Sequence, residues 1–182
     1  MASNMKREIR PTTAVVPCPV VLLSVAGPER PNIITLSWVA NVCSDPATVV
    51  VGVRPQRHSY KLMRDTGDFV LNVPTTELLE ATQFSGTKSG RDFDKFAECG
   101  LTQTPATKVK SPMIKECPIN LECKIVKVDP LGVHDLFTAE VVAVHIDEAV
   151  LNEKGRLDAS KTKLFTYLSL TGQYWSLGEQ LG

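Results

Sequence analysis

The sequence predicts a mainly β fold, a β-barrel carrying short helices, and three observations lead there. The first apolar, β-branched run contains Pro17 and Pro19, which suits an edge or bent barrel strand better than a sheet centre. The alternation that begins at Ile119 changes phase at Ile125-Val126, the mark of a β-bulge or sharp bend. The strand candidates also fail to alternate with long helices, so a doubly wound parallel sheet is disfavoured. The 182 residues suffice for one domain with a real core. Residues 1–182 are therefore read as a single domain, with residues 1–12 as a flexible or extended N-terminal arm.

Taken in order, Thr13 to Val25 reads as the first strand, followed by the turn cluster Gly27-Pro28-Glu29-Arg30-Pro31-Asn32. Ile33 to Val42 is the second strand, punctuated by Ser44-Asp45-Pro46. Thr48 to Val53 is a continuous apolar run, consistent with burial on both faces. Ser59 can cap a short helix through about Asp65, with Gly67 as its stop. Asp68 to Val73 is a fourth strand closed by Pro74, and Thr75 or Thr76 caps a second helix. A polar loop, Ser85 to Arg91, carries two Ser-Gly pairs. Phe93, Phe96 and Ala97 repeat at helical spacing and end at Gly100. From Ile119 a half-buried strand runs by its period of two, then Asp129-Pro130-Leu131-Gly132 turns into a long strand from Leu136 to Ile146. Lys163 to Tyr167 and Gln173 to Ser176 complete the set.

Composition excludes several classes. Twenty basic and twenty acidic side chains cancel, so no global field draws nucleic acid or anionic lipid. An oligonucleotide-binding barrel would need charge and aromatic platforms, and aromatics are only 6 % of the chain. The apolar run after Pro11 is too short and too punctuated for a membrane span, and no secretory signal is read. Five cysteines without C-x-x-C spacing argue against a disulfide framework or zinc site, so reduced thiols and a cytoplasmic location are expected.

Candidate chemistry concentrates in Pro31–Ser59. A polar patch (Ser37, Asn41, Cys43, Ser44) interrupts an apolar run, and Arg54, Arg57, His58, Ser59 and Lys61 form a basic exit. Free N–H groups at a helix start beside arginine make a phosphate site. Gly86-Thr87-Lys88-Ser89 lacks the glycine that a P-loop places before its lysine, yet small residues with Lys88 and Arg91 suit an anion. Among the histidines, His145 reads as a strand histidine and His134, at a turn after Gly132, as one facing a ligand. Trp38, Tyr174 and Trp175 include candidates for covering a flat ring at a barrel rim. Cys43 has no neighbour in sequence that would activate a thiolate.

PVVLLSVAG, PNIITLSWVANVCSDPATVVVGV, the R-x-x-x-H-S step, FVLNV, SGxxSGRDFDKF-x-x-x-GL, LEC, G-x-H and the terminal YWSLGEQLG together resemble the flavin reductase-like family, and its flavoredoxin-type FMN-binding members most closely. The resemblance runs from about Pro17 to the C-terminus. It implies an FMN-binding split β-barrel, a homodimer with FMN near the subunit interface, and a set of cofactor contacts. Thr35, Leu36, Ser37 and Trp38 match the segment along the isoalloxazine; Asn41, Val42, Cys43 and Ser44 match the one reaching the ribityl chain and phosphate. Arg54, His58 and Ser59 match the phosphate grip, and Lys88, Ser89 and Gly90 a loop approaching the cofactor. Gly132-Val133-His134 matches a G-D-H turn whose histidine meets the nicotinamide, here without the aspartate. The resemblance further implies hydride transfer from NAD(P)H to bound FMN and on to an acceptor, with no certain catalytic side chain and no metal. The alternative is an FMN electron carrier reduced by a partner protein.

Overall fold

The computed structural model describes residues 5–182. Its centre is an antiparallel sheet of seven strands: β1 (Val21–Val25), β2 (Asn32–Leu36), β3 (Val39–Ser44), β4 (Ala47–Val53), β5 (Asp68–Val73), and two strands from the back half of the chain. Helices α1 (His58–Thr66), α2 (Leu79–Thr87) and α3 (Lys95–Glu98) lie between β4 and the back half. They are followed by the short pair β6 (Gln103–Thr104) and β7 (Met113–Ile114), and then by the long strands β8 (Ile119–Pro130) and β9 (Asp135–Ile146). A separate hairpin, β10 (Phe165–Leu168) and β11 (Gln173–Ser176), closes the described chain.

The strand order is β2-β1-β5-β8-β9-β4-β3. Its two ends, β2 and β3, are consecutive in the chain and separated only by Ser37-Trp38. The sheet therefore curls until its edges approach at that corner, a barrel split at one seam. The hydrogen bond from Gly52 N to Trp38 O, 2.9 Å, ties the corner to β4.

The core follows from side-chain alternation. Val21, Leu23 and Val25 of β1 point into the barrel with Val51, Phe69 and Phe137. Leu22 points the other way, into a second cluster with Ile33, Phe96, Leu101 and Ile114, which seats α3 and the β6–β7 segment on the sheet. Each such buried aliphatic or aromatic side chain contributes about 1.5–3 kcal/mol. Leu22, Leu23, Phe69 and Phe137 are wholly inaccessible.

Two buried carboxylates sew the 107–111 segment to the barrel. Glu122 accepts from Thr107 N (2.7 Å), Lys108 N (2.6 Å) and Val109 N (3.1 Å), and His145 Nε2 lies 2.6 Å away. Asp68 accepts from Lys110 N and Ser111 N, both at 3.1 Å. His145 is thus a satisfied strand histidine, as its position in the sequence suggests.

Several expectations are corrected. The first strand begins at Val21, not Thr13, because Pro17 and Pro19 lack ladder donors; Val15 is 90 % exposed. The second strand breaks at Ser37-Trp38, the barrel corner, so Ile33 to Val42 is two strands. Residues Thr48 to Val53 alternate in burial instead of being covered on both faces, which is the condition of β1. Arg57 precedes α1, without a side-chain cap bond, and Ser59 is inside the helix. Neither Thr75 nor Thr76 makes a cap bond: a 3₁₀ turn over Thr76–Leu78 leads into α2, which runs on through Ser85-Gly86-Thr87. Pro130 belongs to β8.

Two local expectations hold, the helix stop at Gly67 and the irregularity where the β8 alternation changes phase. Gly67 ends α1 with φ 75°; α3 is shorter than the spacing from Phe93 suggests, because Asp94 caps it through Phe96 N and Ala97 N and it starts only at Lys95. The β8–β9 register shifts between Ile125 and Lys127, where the alternation changes phase. The five cysteines are unpaired. Among the described residues no helix is long and apolar enough to cross a membrane, and no cluster suited to a metal ion occurs. Residues 5–12 carry no regular structure and are exposed; the rest of the expected N-terminal arm, residues 1–4, lies outside the described residues.

Candidate functional site

The split corner opens a cavity of about 430 Å³, within the usual range for small-molecule sites. Leu36, Ser37 and Trp38 form one side, Gly52 and Arg54 another, and Tyr167 from the terminal hairpin a third. Trp38 packs on His134 with ring centroids 4.4 Å apart and planes tilted by 42°. Arg54 Nε lies 3.2 Å from His134 Nε2. Thr35 turns its hydroxyl to α2, donating to Thr82 O at 2.6 Å, so toward the cavity it offers mainly its backbone.

A second cavity of about 150 Å³ adjoins the first, sharing Ile34, Arg57 and Gly86 with it. Arg57, His58, Lys88, Arg91 and Lys95 line it, and no acidic residue does. Position explains the gathering. His58 and Ser59 open α1, where first-turn N–H groups have no intrahelical partner. Lys88 to Arg91 follow the end of α2, and Lys95 begins α3. Lys95 is almost fully buried, donating to Ile33 O (2.7 Å) and Ser85 O (2.8 Å). Burial pushes its ammonium down to about 8. Burial also lowers the His58 imidazole, helped by Arg91, Lys95 and Arg30 around it.

The small residues of this cavity are there for room. A Cβ on Gly90 would overlap Asn32 Oδ1 outright and reach 2.9 Å from His58 Cδ2. Asn32 Nδ2 in turn donates to Ser59 Oγ at 2.7 Å, fixing the start of α1 against β2. The buried Ser85 hydroxyl makes no hydrogen bond of normal geometry, although it sits near the Cys99 thiol. A cavity with several cations, no carboxylate and free helix N–H groups can hold a phosphate dianion. The larger, aromatic-edged cavity beside it can hold a flat ring.

The family model described as the flavin reductase like domain matches residues 13–170. The chain belongs to this family. Flavoredoxin of Desulfovibrio vulgaris (Miyazaki F) superposes with a TM-score of 0.92 at 28 % identity, covering 98 % of this chain and 96 % of that one. An uncharacterized protein of Archaeoglobus fulgidus is 38 % identical over 150 residues, 79 % of this chain and 85 % of its own length. The NADH-dependent FMN reductase AsuE2 of Streptomyces nodosus subsp. asukaensis is 25 % identical over 144 residues, 79 % of this chain and 77 % of its own. The split-barrel fold expected from the sequence is the fold this flavin reductase-like chain has.

The residues singled out in the sequence divide among three places. Thr35, Leu36, Ser37, Trp38, Arg54 and His134 line the larger cavity. His58, Ser59, Lys88, Ser89 and Gly90 line the basic one. Asn41, Val42, Cys43 and Ser44 line neither; they occupy the exposed end of the β3–β4 hairpin, where Val42 is 54 % exposed. Arg54 stands by His134 and not among the cations of the smaller cavity. Sequence reasoning passed over Asn32, Lys95 and Tyr167. A lysine directly after the helix cap Asp94 and directly before the core residue Phe96 was the available signal for Lys95.

Proposed function

We propose that this chain binds FMN, with the phosphate in the 150 Å³ cationic cavity and the isoalloxazine in the 430 Å³ cavity, and that it transfers hydride from NAD(P)H through the flavin to an acceptor. The observation that carries the reading is the joining of the two cavities through Ile34, Arg57 and Gly86, an anion site directly beside a ring-sized one. The family, and the FMN reductase among the relatives, support it. Bound FMN would supply the hydride and electron chemistry.

The protein's part is binding and orientation. Lys88, Arg91, Lys95 and the first N–H groups of α1 hold the phosphate, while Gly90 keeps that pocket open. Backbone N–H groups between Thr35 and Trp38 that do not pair with β1 would face the ring, and Trp38 and Tyr167 would limit its exposure to water. Hydride transfer needs a nicotinamide roughly 3–3.5 Å from the acceptor atom, a matter of placement more than of acid–base catalysis. His134, which lines this cavity beside Trp38, would be the side chain that meets the nicotinamide.

The same reading takes the chain as one domain that pairs with a second copy. Trp38, Leu131 and Val133 border an apolar cleft of about 570 Å³ next to the ring cavity, and the latter two are more than 65 % exposed. A homodimer covering this cleft would shield the flavin as well. Five unpaired cysteines suit a cytoplasmic setting.

A second reading, an FMN electron carrier reduced by a partner protein, draws on the flavoredoxin likeness. The visible spectrum of the purified protein under anaerobic conditions separates the two. Rapid bleaching of a yellow protein by NADH or NADPH is the expected result. Bleaching by dithionite alone would support the carrier, and a protein that stays colourless with added FMN would overturn both.

A further inference from the structure

We propose that Arg54 is the positioning residue of the site: it holds His134 as a neutral imidazole with its proton on Nδ1, so that His134 serves as a hydrogen-bonding wall and not as a proton donor. This rests on the reading of the 430 Å³ cavity as the flavin site.

The contact sets the tautomer. Arg54 Nε carries a hydrogen and cannot accept, so at 3.2 Å from His134 Nε2 it donates, and Nε2 must be the unprotonated nitrogen. The ring is also packed against Trp38, with centroids 4.4 Å apart and planes tilted by 42°. Its turn is closed by Leu131 N donating to His134 O at 3.0 Å. Ring position, ring rotation and proton site are therefore each specified.

The neighbouring carboxylate does not interfere. Asp135 follows His134 directly, and a carboxylate on the imidazole would favour the charged ring. Asp135 instead accepts from Tyr60 Oη at 2.5 Å, on the side of α1. The charged groups that act on His134 are Arg54, after β4, and Arg57, before α1, both positive; Trp38 is neutral. Burial first, then these two arginines, lower the imidazole's affinity for a proton. Its neighbour in the turn, Val133, carries no charge, and the group across from the ring is the Arg54 guanidinium.

Side-chain ¹⁵N NMR of the flavin-free protein tests this, with Arg54→Gln and Arg54→Lys. Arg54 is exposed, so these variants are expected to fold. Wild-type His134 should appear as the Nδ1–H tautomer and titrate below the ordinary histidine value. Arg54→Gln should raise the titration toward that value and mix the tautomers, while Arg54→Lys should retain the low titration but lose the single tautomer. A wild-type Nε2–H tautomer, or an unchanged titration in Arg54→Gln, would overturn the inference. In the flavin-loaded protein, the rate of bleaching by NADH should be flat from pH 6 to 8 in the wild type and acquire an acid limb in Arg54→Gln. A protein that no nicotinamide reduces contradicts the proposed hydride transfer but leaves the NMR result to decide the role of Arg54.

Discussion

The ammonium of Lys95 donates to the main-chain oxygen of Ile33 at 2.7 Å, joining the one-turn helix α3 to strand β2 beneath the cationic cavity. A lysine has three N–H donors, and Ile33 and Ser85 take two. The third is left for an anion in the cavity that Lys95 lines.

That arrangement predicts a pH effect on flavin affinity. With its folded-state value near 8, below the ordinary lysine value, Lys95 loses its proton in the folded protein before it would in the unfolded chain. Its contribution to stability therefore grows as pH rises from about 8 toward the ordinary value. Phosphate binding favours the opposite, protonated form. FMN affinity should hold from pH 7 to 8 and weaken above it, since the phosphate is already a dianion there. Lys95→Met should bind FMN about 10–100-fold more weakly and lose that dependence, losing a charge-assisted hydrogen bond. Fluorescence titration of FMN between pH 7 and 9.5 measures both.

Glu122 predicts a stability effect remote from the site. Burial by itself would raise its carboxyl, but donors from Thr107, Lys108 and His145 outweigh it and bring the value down to about 2. A depressed carboxylate stabilises the fold above its unfolded-state value, and that stabilisation is lost as pH falls toward 2. Glu122→Gln should cost about 2–4 kcal/mol at pH 7, because several buried donors lose a charged acceptor. The variant should also lose less stability than wild type between pH 5 and pH 2.5. Urea unfolding at those pH values is the measurement.

Gly90 predicts a geometric one. Gly90→Ala places a methyl where Asn32 Oδ1 already sits, and Asn32 is held by its bond to Ser59. Either the 88–91 loop or Asn32 must move, and both line the cationic cavity. FMN affinity should drop at least about tenfold, while riboflavin, which lacks the phosphate, should be affected much less. A loss shared equally by FMN and riboflavin would point to the ring cavity instead.

Much of the fold was legible because strands announce themselves by period and helices by their stops. The phase change at Ile125-Val126 and the αL glycine at Gly67 are examples, each local in cause. The break at Ser37-Trp38 was not legible, because an apolar run does not reveal where a barrel must turn. Residues after α2 and those at the start of α1 were legible as anion-binding candidates from charge and small size, and they line one cavity. Asn32 and Tyr167 could not, because their positions arise from segments distant in sequence meeting at the seam, and for Lys95 the one local signal was its place between Asp94 and the core residue Phe96. The Asn41 to Ser44 patch is ambiguous in the opposite way: it lines neither cavity, and its polarity suits exposure at a hairpin end as well as it suits a ligand.

The pairing of a cationic pocket with a ring-sized cavity is tested most directly by titrating the flavin-free protein with FMN and with riboflavin at pH 7. The two ligands share the isoalloxazine and ribityl chain and differ only in the phosphate. FMN should bind at least about a hundredfold more tightly, the equivalent of two charge-assisted hydrogen bonds. Equal affinities for the two ligands would contradict the assignment of the Lys88–Arg91–Lys95 cavity to the phosphate.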